Sequence, residues 1–272
     1  MTPPASPAIM NHPSSSIYGP VKSWRVGASL GVDLLLETST CSFNCIYCQL
    51  GNIQLKTAER KIYVATEQVE KDFKHSDWQH ADIVTLSGSG EPTLALNIKE
   101  VIHFIKEYSG KPVMVLTNGT LLHDAAVRHD LLEADKVAIK LDAATEAGFN
   151  QMNRPVPGAT LANVIAGAKA FRNEYGGNKP GVLCLQMMIM PTNVAEAKAM
   201  AQLAATLTPD EIQLNTPKRP YPLEWALDSR GNHEAASVPS RELRVINEDE
   251  ARALKTLFEQ TTGCPVVSVY RE

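Results

Sequence analysis

The chain has 272 residues, enough for one α/β domain of barrel size. Its 44% apolar share supports a packed core, and a formal net charge of −4 argues against a surface coated in phosphate contacts. Five cysteines, an odd number with three of them clustered, exclude a secreted disulfide framework and point to a reducing, cytoplasmic setting.

Residues 1–16 hold Pro3, Pro4, Pro7, Pro13 and the run Ser14 to Ser16. They have no apolar core, so they read as neither a signal peptide nor a membrane anchor, and a disordered tail is expected. No apolar run approaches the roughly 18 residues that span a bilayer, and no membrane partner is expected. Tyr18-Gly19-Pro20 marks a turn, and the apolar run that follows predicts a first strand over 30–36.

Cys41-Ser42-Phe43-Asn44-Cys45-Ile46-Tyr47-Cys48 comes directly after that strand. Thiolates are soft ligands, and three on one tight turn converge on a single small object. Iron–sulfur clusters and zinc are the candidates. A cubane cluster normally takes four cysteines, so three leave one iron open to another ligand. Structural zinc would need a fourth side chain such as histidine.

Strands and helices then alternate. A helix is predicted from Thr66 to Asp77, a buried strand over 82–86, and a helix over 97–108 with Ile98, Val101, Ile102 and Ile105 on one face. A strand follows over 113–116, then a helix over 121–132 capped by Thr120, and a strand over 137–141. A helix over 161–174, a strand over 182–189, a helix over 194–206 with a capping box of Asn193 and Glu196, and a short strand over 212–214 complete the series. Six such alternations predict a partial (β/α)6 barrel across 17–216, open because eight units would be needed to close it. The prolines and glycine of 216–246 break the pattern. A helix opened by Asn247 and Glu250 and a strand over 266–270 end the chain, so 217–272 is expected to be a loop-rich cap.

Chemistry in such folds gathers at the C-terminal ends of the strands. Ser87-Gly88-Ser89-Gly90-Glu91-Pro92 ends the second strand, where glycines admit close approach of backbone to a ligand; alone, it is equally a turn with a surface glutamate. Thr117-Asn118-Gly119 ends the third and is either a ligand contact or a plain Asn-Gly turn. Lys140 and Asp142 share a face at the end of the fourth, as site residues or as a structural ion pair. Arg154 lies in the irregular run Asn153 to Gly158, a bidentate clamp for a carboxylate or a surface arginine. Gln213 and Asn215 sit at the sixth strand tip, followed by Thr216, Lys218 and Arg219, and are the best substrate-facing group. Met187, Met188 and Met190 are assigned to core packing, and Cys184 and Cys264 to ordinary buried thiols.

The stretch YGPVKSWRVGASLGVDLLLETSTCSFNCIYCQLG resembles the radical S-adenosylmethionine (SAM) superfamily, and within it the group that includes the wyosine-base synthases of tRNA. SGSGEPTL, LTNGT, KLDA, NRPVPG and QLNTPKRP carry the likeness on to about residue 220. The resemblance implies a [4Fe–4S] cluster on Cys41, Cys45 and Cys48, with SAM chelated at the open iron. It implies that Gly88, Gly90 and Glu91 meet the SAM amino group and that Tyr47 lies against adenine. With SAM there, Asn118 would orient the ribose or methionine portion, Asp142 would accept from the ribose hydroxyls, Lys140 would neutralise a carboxylate or a substrate charge, and Arg154 would clamp the SAM carboxylate. The implied reaction is reductive cleavage of SAM to a 5′-deoxyadenosyl radical that takes hydrogen from a substrate. A low-potential electron donor of flavodoxin or ferredoxin type is implied as a partner, and RNA as a candidate substrate. A protein or peptide substrate is one alternative, and a non-catalytic three-cysteine metal protein another. Two features depart from the group: no cysteine precedes Cys41 to hold a second cluster, and Trp24 stands where a basic residue is usual.

Overall fold

The computed structural model describes residues 14–176, 181–230 and 238–270. Most of the expected tail therefore lies outside the described residues. Ser16, at its end, is buried, and its N–H and hydroxyl both donate to Asp72, at 2.7 and 2.8 Å.

Eight strands form one sheet in which spatial order follows chain order: β1 (Ile17–Ser23), β2 (Gly27–Val32), β3 (Ile83–Leu86), β4 (Val113–Thr117), β5 (Lys136–Lys140), β6 (Val182–Met188), β7 (Glu211–Asn215) and β8 (Val266–Ser268). From β2 onwards every pairing is parallel, and only β1 runs antiparallel. Parallel strands covered on both faces are apolar nearly throughout, as in Ile83 to Leu86, where all four residues are buried. Among the described residues β1 and β8 do not pair, and the curled sheet is an open half-barrel. Helices cover its outside: α1 (Thr66–Lys74), α2 (Ile98–Ser109), α3 (Ala125–Leu131), α4 (Glu146–Asn153), α5 (Leu161–Glu174), α6 (Ala197–Ala205) and α7 (Glu248–Thr262). The expected partial α/β barrel is thus the observed architecture. Among the described residues no helix is long and apolar enough to cross a membrane.

Several local expectations are corrected. The strand expected first, over 30–36, is β2 at Gly27–Val32 and is preceded by β1; it stops at Val32 because the Asp33 carboxylate folds back to accept the Leu35 and Leu36 N–H groups at 3.0 and 3.3 Å. The helix expected over 121–132 is reduced to α3 and is capped by Asp124, not Thr120. Asn193 and Glu196 form no capping box. The Asn193 amide donates to the Asp142 and Met188 carbonyls at 2.8 Å each, and Glu196 accepts the Ala144 and Thr145 N–H groups just before α4. Helix α4 was not anticipated. In the C-terminal part the Asn247–Glu250 capping box does form, and α7 buries Ala251, Leu254 and Phe258.

Inside the half-barrel a small apolar floor is built from Ile83, Met114, Ala138 and Cys184, with Val26 and Leu116 against it. Val26 belongs to the turn between β1 and β2, so this hairpin packs into the N-terminal end of the barrel. A cavity of about 630 Å³ is lined at one end by this turn and at the other by the cysteine loop.

Candidate active site

The cysteine loop leaves the C-terminal end of β2 and is fastened by backbone bonds to the end of α4. Asn44 and Ile46 donate to the Asn153 and Met152 carbonyls at 2.9 and 3.0 Å, and Val156 donates back to Ser42 at 2.8 Å. These bonds explain what NRPVPG does: it is the clamp of the cysteine loop.

Cys41, Cys45 and Cys48 all line the cavity. Burial pushes every one of these thiols up; the Glu91 carboxylate adds to the effect at Cys41 and the Asp142 carboxylate at Cys45, and Cys48 reaches about 12. Three buried thiolates beside two carboxylates are stable only around a strongly cationic centre. Among the described residues no three His, Cys, Asp or Glu side chains come together around one ion. Three cysteine sulfurs lining one cavity are the donor set of an iron–sulfur cluster with one iron left to another ligand. N–H donors already face the sulfurs: Phe43 N–H and the Asn118 amide reach Cys41 Sγ at 3.4 and 3.6 Å, and the Asn153 amide reaches Cys45 Sγ at 3.5 Å.

The glycine loop faces the cysteines across the cavity. Thr40 and Gly90 are bridged, with Glu91 N–H donating to the Thr40 carbonyl at 3.0 Å. A Cβ on Gly90 would overlap that carbonyl oxygen, and one on Gly88 would overlap the Asp33 carboxylate. Backbone cannot rotate away as a side chain can. Gly90→Ala is therefore expected to lower stability by at least about 2 kcal/mol and to reduce cluster loading; a melting temperature equal to wild type would refute this fit.

Glu91 is buried, and its carboxyl pKa is raised by burial against the opposing pull of its hydrogen bonds. Oε1 accepts from Thr93 N–H, Thr93 Oγ1 and Thr117 Oγ1 at 3.1, 2.6 and 2.7 Å, while among the described residues Oε2 accepts only Asn118 N–H, at 2.6 Å. A carboxylate has about four lone-pair sites, so Oε2 keeps capacity for one more donor.

The remaining sequence candidates divide. Asn118 lines the cavity, but its side chain is engaged: it donates to Ser42 Oγ at 2.8 Å and accepts from Thr120 Oγ1 at 2.6 Å. Asp142 does not line the cavity. It lies behind Tyr47, accepting the Tyr47 hydroxyl and, at 2.8 Å each, the Asn153 amide and Met188 N–H. The expected ribose contact is therefore replaced by a support for the cysteine loop. Lys140 lines the cavity, 3.6 Å from Asp142 Oδ1, with its Nζ 5.0 Å from the Tyr47 ring centroid. Arg154 is exposed, in a left-handed backbone conformation that ends α4 (φ 45°), and does not line the cavity, so it forms no clamp there. Gln213 is buried away from the cavity, its amide donating to Glu211 at 2.7 Å, whereas Asn215 lines it together with Thr216, Lys218 and Arg219.

Sequence reasoning missed three groups. Gln186 and Met188 face the cavity, as their two-residue spacing on β6 would have suggested. Asn153 ties Cys45 to Asp142. Arg230, from the loop-rich part, pairs with buried Asp33 at 3.1 Å, which also accepts the Ser89 hydroxyl at 2.6 Å. No local sequence signal marks a pair so far apart in the chain.

Comparison with known proteins agrees with this geometry. The family model of the radical SAM superfamily matches residues 37–204. The UPF0026 protein slr1464 of Synechocystis sp. is 40% identical over 256 residues, covering 93% of this chain and 95% of that protein. A probable GTP 3′,8-cyclase of Saccharolobus islandicus is 26% identical over 200 residues, covering 70% of this chain and 58% of that protein. Among solved structures, TYW1 with a lysine–pyruvate adduct superposes with a TM-score of 0.58 at 15% identity, covering 87% of this chain and 75% of that one. Streptococcus suis SuiB bound to S-adenosylmethionine gives 0.60 at 12% identity, covering 88% of this chain and half (50%) of that one. These two likenesses establish the fold. A family match that spans the cysteine loop, the glycine loop and the four strand–helix units from β3 to α6 sets aside the non-catalytic metal protein. The chain belongs to the radical SAM superfamily, enzymes that bind SAM and an iron–sulfur cluster.

Proposed function

We propose that this chain holds a [4Fe–4S] cluster on Cys41, Cys45 and Cys48 and uses it to initiate radical modification of RNA. The observation that carries the cofactor assignment is the convergence of three cysteines and one incompletely satisfied buried carboxylate, Glu91, on a single cavity. When bound and reduced by a donor of flavodoxin or ferredoxin type, the cluster supplies one electron to the sulfonium of SAM, releasing methionine and a 5′-deoxyadenosyl radical that takes hydrogen from substrate.

The chain's own groups do the rest. Glu91 Oε2 accepts from the methionine ammonium. Lys140, the cation on the cavity wall nearest Tyr47, meets the methionine carboxylate in place of Arg154. The Tyr47 ring, fixed through its hydroxyl, offers the apolar face for adenine. Asn118 and Asn153 donate to the Cys41 and Cys45 sulfurs and hold the loop's shape. RNA is favoured by the motif order shared with the wyosine-base group and by Lys218 and Arg219 on the cavity wall beyond β7. The cell compartment proposed is the cytoplasm.

The test is anaerobic reconstitution with iron and sulfide, then dithionite and SAM, with chromatography for 5′-deoxyadenosine. Total RNA is expected to raise the yield, and nuclease-treated RNA or mixed peptides are not. Stimulation by peptides alone would move the substrate to protein, and methylthioadenosine in place of 5′-deoxyadenosine would overturn the cleavage chemistry.

A further inference from the structure

Arg25 is a cation inside the barrel that none of the steps above uses. It sits in the turn between β1 and β2, beside Val26 of the floor, and lines the cavity at the end opposite the cysteines. Its place is fixed. Arg25 N–H donates to Ser23 Oγ at 3.2 Å, and the guanidinium lies 4.4 Å from the Trp24 ring centroid. With its amide oxygen turned toward Arg25, Gln186 accepts from Nε at 3.2 Å and from Nη2 at 3.1 Å.

No carboxylate completes this arrangement. Among the described residues none lies within ion-pair distance of Arg25. Glu211 acts on it only from a distance. That carboxylate is held by Lys136 at 3.1 Å through both oxygens and by the Gln213 amide at 2.7 Å. Enclosure dominates, and it lowers the Arg25 pKa to about 10. Arg25 is half-buried, and a guanidinium drawn partly out of water without a counter-anion is stabilised by an anion that enters the cavity. After Gln186 has taken one side, the two Nη1 hydrogens and the second Nη2 hydrogen remain. They form the end-on face that matches two oxygens of a carboxylate or phosphate.

We propose that Arg25, oriented by Trp24 and Gln186, is the receptor for an oxyanion on the substrate or co-substrate of this enzyme, gripping that end at the cavity floor while the other end points toward the cysteine loop. The six residues of β2 separate the two ends, roughly 20 Å of strand, so the molecule is elongated. Met114, Leu116 and Met188 line the wall between, which calls for an apolar middle. The inference rests on the cavity being the substrate site, but the anion site itself needs no cluster.

It can therefore be tested on the full-length protein without iron. Binding of inorganic phosphate and of acetate is measured separately by equilibrium dialysis and thermal shift at constant ionic strength. Saturable binding of one of them is expected, about tenfold weaker in Arg25→Gln and unchanged in Lys198→Gln, an exposed lysine of α6. Phosphate binding alone identifies a phosphorylated ligand, and acetate binding alone a carboxylic acid. Gln186→Glu supplies an internal carboxylate to Arg25. This variant is expected to melt higher than wild type and to lose anion binding, and it decides the matter if Arg25→Gln does not fold. Equal binding by wild type and Arg25→Gln, no saturable binding of either anion, or a Gln186→Glu variant that melts lower would each overturn the proposal. Anion binding without 5′-deoxyadenosine formation would instead count against the radical chemistry alone.

Discussion

Cys45→Ala is expected to abolish cluster binding and SAM cleavage together while leaving the barrel folded. Cys45 is the most enclosed of the three thiols, with the Asn153 amide on its sulfur and Asp142 close enough to raise its pKa. Removing it leaves two sulfurs, too few to anchor a cluster that already has one iron without a protein ligand. Metal binding and folding are often one event in small metal domains. Here they separate, because backbone bonds from Asn44, Ile46 and Val156 hold the loop whether or not metal is present. The variant should therefore match iron-free wild type in melting temperature and differ only after reconstitution, with iron and sulfide near background. Cys184→Ala and Cys264→Ala are the controls. Cys184 is fully buried in the cavity floor and Cys264 follows α7, both away from the cysteine loop. Both should load iron normally, with Cys184→Ala losing about 1 kcal/mol of packing. Wild-type iron content in Cys45→Ala would remove the basis of the cofactor assignment.

How much of this was legible in the sequence depended on the range of the signal. The parallel strands were legible because both of their faces are covered, which makes each a nearly continuous apolar run such as Ile83 to Leu86, interrupted only by Thr85. Strand β1 was not, since its polar alternation and its Gly19-Pro20 step look like a turn. Helix α4 was hidden by its length, its Gly148 and its two asparagines, and it forms because Glu196, far along the chain, accepts the N–H groups just ahead of it. The site shows the same division. Motif spacing placed Cys41, Glu91, Asn118 and Lys140 at strand ends, and all four line one cavity. Spacing carries no information on which way a residue points once its strand has ended. Arg154 turns outward because its backbone is left-handed, and Asp142 turns behind Tyr47 because three donors are waiting there. Met188 was assigned to the core on the general behaviour of methionine, although Gln186 two residues earlier lies on the same inward face.

Asp142 gives the second large effect, and it separates a support for the loop from a ligand to SAM. Asp142→Ala leaves the Tyr47 hydroxyl, the Asn153 amide and Met188 N–H without their acceptor in a buried site. Each orphaned donor costs about 1–3 kcal/mol, so a loss of roughly 3–5 kcal/mol is expected, allowing for partial relaxation. The damage should reach the cluster, because Asn153 and Tyr47 hold the segment around Cys45. Iron loading should fall, or iron should leave faster under chelator challenge, although all three cysteines are intact. Asp142→Asn keeps one acceptor oxygen for Met188 N–H and lets Tyr47 accept from the new amide, but it sets two amides against each other at Asn153. It should fall between wild type and Asp142→Ala in both melting temperature and iron retention. A ribose ligand would behave differently: Asp142→Asn would weaken SAM binding with iron retention and melting temperature unchanged. Measuring iron loss and SAM affinity on the same preparation decides between the two. The buried position of Asp142 and its three donors predict that iron loss will be the property that moves.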